Sequence, residues 1–170
     1  MNHATDTHPS TLSTSGPQLL VCNRWEAARW CHSYESVLSV FGPWWHCDWG
    51  HDDHLIVEFE DRVRREEGGP TLSQIDEILT WASQRLDRRI LVHCKAGQSR
   101  STAAAVGIAV LAGMAERDAF EHVFASCRPE EKVATRPFIP NRLVLTHIDT
   151  LLGTRLVSAW HSFEPQTWAA

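Results

Sequence analysis

Apolar residues along this chain follow two periods, and the switches between them mark the elements. Short apolar runs at 19–21 and 37–41 have the size of buried strands, with a helical stretch over 24–33 between them. Leu55, Val57 and Phe59 then alternate with Ile56, Glu58 and Glu60, the pattern of a strand with one well-buried face, which ends at Asp61. The charged stretch 62–70, closed by Gly68, Gly69 and Pro70, reads as a solvated loop. At Thr71 the period lengthens. Leu72, Ile75, Leu79, Ala82 and Leu86 form one helical stripe, opened by a capping box of Thr71 and Gln74. Ile90, Leu91 and Val92 make a continuous apolar run of the kind found in central parallel strands. A helix is expected from about 101 to 112, where Ala103, Ala104, Ala105 and Gly107 let its backbone approach a sheet closely. Phe120, Val123, Phe124 and Cys127 stripe a further helix, and Asn141 as N-cap, Leu145, Ile148 and Leu152, with Gly153 as C-cap, describe the last.

Strands alternating with helices predict a three-layer α/β domain, a central, mostly parallel (mixed) sheet flanked by helices on both faces. Residues 1–17 carry almost no apolar side chains and are expected to be a disordered tail. The domain is expected to cover 18–153, with 154–170 as a C-terminal extension.

Composition narrows the function. The chain has 170 residues with a net charge of -5, so its overall field repels a nucleic-acid backbone, and no nucleic-acid partner is expected. The longest apolar run, 102–115, is too short to span a bilayer, and the polar N-terminus lacks a secretory pattern. Cys22, Cys31, Cys47, Cys94 and Cys127 are odd in number and scattered, which fits a reducing, cytoplasmic setting better than a disulfide framework.

The chemistry concentrates between the run at 90–92 and the helix after it, in His93-Cys94-Lys95-Ala96-Gly97-Gln98-Ser99-Arg100-Ser101. A strand, a tight glycine-containing loop and a helix start aim successive backbone N–H groups into one hollow, and the helix terminus adds partial positive charge. Such a hollow suits a tetrahedral dianion, and Lys95, Ala96, Gly97, Gln98, Ser99 and Arg100 would line it. The planar Arg100 guanidinium can hold two phosphate oxygens at once. The same field stabilises a thiolate at Cys94, so the anion site and the nucleophile coincide. None of the other four cysteines has an arginine six positions on.

These residues, HCKAGQSRS, resemble the HCxxGxxRS/T signature of the cysteine-based protein tyrosine and dual-specificity phosphatase superfamily, especially its bacterial tyrosine phosphatase-like branch. The resemblance extends as weaker patterns over about Val21 to Gly153, and Pro140-Asn141 is similar to the Pro-Asn that dual-specificity members carry before their last helix. It implies hydrolysis of phosphate monoesters on phosphotyrosine or other phosphoprotein substrates through a phosphocysteine, with neither metal nor organic cofactor. By the same resemblance His93 supports the loop and the Ser101 hydroxyl helps the Cys94 sulfur leave. An aspartate upstream of the nucleophile would protonate the leaving oxygen. Asp61, at a strand end before a glycine-containing loop, takes that role, with Glu60 as its rival and Asp48, Asp52 and Asp53 behind.

Alternatives share parts of this picture. An inositol phosphate or phosphoinositide phosphatase would need the same loop, and so would a catalytically idle phosphate-binding module. A rhodanese-like sulfurtransferase also ends its cysteine loop in arginine, but that class has a shorter loop and no upstream aspartate. The Trp- and His-rich segment 43–54 invites a metal reading, but its ligand spacing is wrong for zinc, and a loop over the domain is expected instead. Under oxidation any of the other four cysteines could pair with Cys94.

Overall fold

The computed structural model describes residues 16–44, 49–127 and 138–163. The chain starts with strand β1 (Leu19–Asn23), helix α1 (Arg24–Trp30) and a 3-10 turn over Cys31–Ser33. Strands β2 (Ser36–Phe41) and β3 (His54–Glu58) follow, then helix α2 (Leu72–Ser83) and strand β4 (Ile90–Cys94). Helices α3 (Arg100–Leu111), α4 (Glu116–Ser126), α5 (Arg142–Leu152) and α6 (Leu156–Ser162) complete it.

The four strands lie in the order β1-β4-β2-β3, and every pair among the described residues is parallel, where a mixed sheet was allowed for. Parallel pairing forces each connection to cross a face of the sheet, so helices cover both. β4 lies between β1 and β2, and its five residues are all buried, as the unbroken apolar run requires. Helices α2 to α6 pack on one face around Val21, Leu38, Val40, Ile90 and Val92. The other face carries a smaller core of Leu20, Cys22, Val37 and Leu91 beneath Ala27 of α1 and Cys31.

Strand register assigns the cysteines to faces. Cys22 pairs with His93, one residue before Cys94, so its side chain points to the opposite face from that of Cys94. Cys31 belongs to the same small core as Cys22. A disulfide from either to Cys94 would require β1 or β4 to turn over. Cys47 lies outside the described residues, as do Asp48 and residues 1–15.

The stripe expected for α2 needs correcting at both ends: the helix stops at Ser83, so Leu86 lies beyond it. Leu72 was placed on the apolar stripe of α2, but as the first helical residue it lies beside a surface groove and is 41% exposed; Ile78 fills the core instead. Within the segment expected as a C-terminal extension, Leu156–Ser162 form α6. Its Leu156 is fully buried, and the rings of Trp160 and Phe163 pack tilted against Phe120 at 5.6 and 5.5 Å. Asp149 of α5 caps α6 by accepting hydrogen bonds from the amides of Leu156 and Val157 at 2.6 and 3.0 Å.

Candidate active site

All strands run the same way, so their C-terminal ends share one edge, where open parallel sheets place their sites. The loop 95–99 leaves β4 at that edge and turns into α3. Gly97 makes the turn with φ of +72°, in the left-handed region that a side chain disfavours. It also lies so near the β1–α1 turn that a Cβ would sit 2.6 Å from the carbonyl carbon of Cys22. That turn is itself fixed. Asn23 caps α1, and the Glu26 carboxylate accepts a hydrogen bond from the Asn23 amide at 3.0 Å, a capping box that sequence inspection missed although N-x-x-E spells it.

The loop's carbonyls are tied outward. Lys95 O accepts from Arg24 N at 3.5 Å, Gln98 O from Ile139 N at 3.1 Å, and Ser99 O from Asn141 N at 3.1 Å. The Thr102 hydroxyl donates to the carbonyls of Gln98 and Ser99, both at 2.8 Å. In a planar trans peptide the N–H points opposite the C=O. The amides of Ala96, Ser99 and Arg100 are therefore turned toward the loop's inner side, and the start of α3 has no side-chain cap of its own.

The Cys94 sulfur lies within this loop, 2% exposed as a residue, where it accepts a hydrogen bond from Gly97 N at 3.2 Å and meets the Ser101 hydroxyl at 3.1 Å. Arg100 is 6% exposed. Its Nη1 donates to the Phe59 carbonyl at 2.7 Å, which fixes the plane of the guanidinium, while its buried Nε has no hydrogen-bond partner among the described residues. A buried N–H without a hydrogen-bond partner beside inward-turned amides is what an oxyanion would satisfy.

Asp61 stands over the same loop. Its Oδ1 accepts from the Ser99 hydroxyl at 2.7 Å and from Asn141 Nδ2 at 2.8 Å, and Oδ2 is 4.0 Å from Arg100 Nε. Asn141, expected only as a helix cap, does cap α5 with Oδ1, but its amide also holds Asp61 and the Arg62 carbonyl. Of the rival acids, Glu60 shares this edge of the sheet, whereas Asp52 and Asp53 do not. The Glu60 carboxylate lies against Gly42 at the end of β2. Asp52 and Asp53 precede β3, which puts them at the N-terminal edge of the sheet, a strand's length from the loop. Asp53 is bound there by Arg85, Arg88 and Ser36; the Arg85 hydrogen bonds, ahead of the smaller opposing effect of burial, hold its pKa down at about 2.

Beneath the loop, His93 is fully buried, and burial lowers its pKa to about 3, so the imidazole is neutral. Its Nε2 is 2.6 Å from the Ser39 hydroxyl, which is also 2.6 Å from His54 Nε2. Trp49 of the Trp- and His-rich segment packs over both imidazoles; 45–48 of that segment lie outside the described residues.

Tk-PTP in its active form superposes with a TM-score of 0.56 at 16% identity, over 86% of this chain and 99% of that one. Human DUSP28 gives 0.56 at 18% identity, over 86% and 95%. The Yvh1 phosphatase domain from Chaetomium thermophilum gives 0.53 at 20% identity, over 82% and 93%. No protein-family model matches the chain, and no curated protein sequence does. The chain therefore has the fold of the cysteine-based tyrosine and dual-specificity phosphatases. No helix among the described residues is long and apolar enough to cross a membrane.

Proposed function

We propose that this protein hydrolyses phosphate monoesters through a covalent phosphocysteine, with phosphotyrosine or another phosphoprotein side chain as substrate. In the first step the Cys94 thiolate attacks phosphorus, the S–P bond forms, and the P–O bond to the leaving group breaks as Asp61 gives that oxygen a proton. The amides of the loop and the open Nε edge of Arg100 stabilise the equatorial oxygens. In the second step water attacks phosphorus, Asp61 takes its proton, and the S–P bond breaks to return the thiolate, to which the Ser101 hydroxyl donates a hydrogen bond.

The observation that carries this proposal is the convergence of four groups on one hollow: the Cys94 sulfur, the inward-turned amides, the Arg100 Nε, which has no hydrogen-bond partner among the described residues, and the Asp61 carboxylate. The phosphatase fold shared with Tk-PTP, DUSP28 and the Yvh1 domain supports it. Lys95 lies on the exposed part of the loop, where it would meet the anionic face of a substrate. The test is turnover of a small aryl phosphate by the purified full chain with chelator present. Activity should persist under chelation, stop with vanadate or thiol alkylation, and vanish in Cys94→Ser; a Cys94→Ser variant that still turns over would end the proposal.

A further inference from the structure

On the α1 face of the sheet three polar side chains lie in a row. Register pairs Ser39 of β2 with His93 of β4, and His54 of β3 with Val37, two residues before Ser39 on the same face. Ser39 Oγ thus meets His93 Nε2 on one side and His54 Nε2 on the other, each at 2.6 Å. The row runs from a half-buried residue on the edge strand to the buried residue directly before Cys94.

A hydroxyl has one proton. It can donate to one of the two imidazoles and must accept from the other, so the row has a direction. If His54 Nε2–H donates to Ser39, then Ser39 donates to His93 Nε2, and the single proton of neutral His93 is on Nδ1. In the opposite direction His93 carries its proton on Nε2 instead. His93 Nδ1 is buried with no hydrogen-bond partner among the described residues, and the Cys94 main chain lies beside the ring. In the first direction Nε2 accepts from Ser39 and the proton sits on the ring nitrogen turned away from it. Trp49 fixes both rings, lying parallel to His54 at 5.8 Å and 7° and tilted against His93 at 4.8 Å, while Phe41 meets His93 edge-on at 4.8 Å.

We propose that His54 is a positioning residue for the phosphate loop: through Ser39 it sets the tautomer and orientation of His93, and through His93 the main-chain setting of Cys94. The kinetic part of this rests on the function proposed above; the tautomer part does not. Burial alone would explain apolar rings stacked here. Two hydrogen bonds of 2.6 Å meeting at one hydroxyl call for a directional role.

The test compares two amides of nearly equal polarity in the full chain. Gln places its amide where Nε2 stands and can still reach Ser39; Asn places its amide where Nδ1 stands and cannot. His54→Asn should lower kcat on an aryl phosphate by about tenfold, a usual size for one coupled contact in a network, and His54→Gln should recover most of that loss. In a Ser39→Ala background His54→Asn should have little further effect. Histidine nitrogen NMR shifts, read without any substrate, should show His93 protonated on Nδ1 in the wild type and in His54→Gln, and a tautomer mixture in His54→Asn. Equal kinetics and equal His93 spectra for the two amides would overturn the proposal, as would full additivity with Ser39→Ala. If the chain proves to have no phosphatase activity, the spectra still decide it, so the two proposals fail separately. Should His54→Asn not fold, His93 protonated on Nε2 in the wild type would suffice to overturn it.

Discussion

Replacing Gly97 by alanine tests the geometry of the loop with a single methyl group. Two costs add. The backbone at φ +72° is in the left-handed region, where a Cβ costs about 1–2 kcal/mol. The methyl also meets main-chain atoms, at 2.6 Å from Cys22 C and 2.8 Å from Asn23 N, and these cannot swing aside because Asn23 is bound in its own capping box. Overpacking of that kind adds about 1–3 kcal/mol. Together the loss is about 2–5 kcal/mol, or roughly 4–20 °C in Tm for a chain of this size. Gly153→Ala is the matched control. Gly153 has φ +70° but nothing within 4 Å of the added methyl, so it bears only the backbone cost, and its Tm should fall by roughly 2–8 °C. If the loop shifts to relieve the contact, the Gly97 amide leaves the Cys94 sulfur, and iodoacetamide should alkylate Cys94 more slowly at neutral pH as thiolate stabilisation is lost. Thermal unfolding in phosphate-free buffer and alkylation rates read the two outcomes. A Gly97→Ala protein that matches Gly153→Ala in Tm and the wild type in alkylation would refute the close approach.

Further outcomes follow from the same contacts. Arg100→Lys should lose most aryl phosphate turnover despite keeping its charge, because an ammonium cannot both bond the Phe59 carbonyl and present a planar edge to the anion; near-normal kcat would show that Arg100 does not clamp the phosphate. Asp61→Asn should lower kcat by about 100- to 10,000-fold on alkyl and phenolic esters, recovering on esters whose leaving group needs no proton, while Glu60→Gln shows neither effect; the reverse pattern would move the acid to Glu60. Stability should fall in two acid steps, because His93 and Asp53 both have depressed pKa values and the unfolded chain binds their protons first. The His93 contribution is complete above about 6.5 and is lost as pH falls toward about 3; that of Asp53 is complete above about 4 and lost toward about 2. Asp53→Asn should flatten only the lower step of chemical unfolding measured against pH, and an unchanged slope below pH 4 would contradict this.

Local patterns made much of the molecule legible. The apolar run at 90–92, the alanines of α3 and the Thr71–Gln74 capping box are short-range signals, and each corresponds to an observed element. The loop was legible because strand, glycine and helix start are contiguous. What escaped depends on contacts between residues far apart in the chain. α6 has seven residues and no cap of its own, and only Asp149 of the preceding helix completes its start. The Phe59 carbonyl meets Arg100 across 41 residues, and Ser39 meets His93 across 54, so no window of sequence contains either pair. Asn141 was visible as a cap by its position, while its second bond to Asp61 appears only when the acid loop and α5 come together. Leu72 misled because helical spacing specifies a stripe but not how far along the helix the core extends.

The central claim is that the Cys94 sulfur itself becomes phosphorylated. Rapid acid quench of the full chain during turnover of an aryl phosphate, followed by proteolysis and mass spectrometry, reads this directly. One phosphoryl group should appear on the peptide containing Cys94, accumulate further in Ser101→Ala where the sulfur is a poorer leaving group, and be absent from Cys94→Ser. Turnover with no phosphorylated Cys94 peptide in either the wild type or Ser101→Ala, or with the phosphoryl group on another residue, would contradict it.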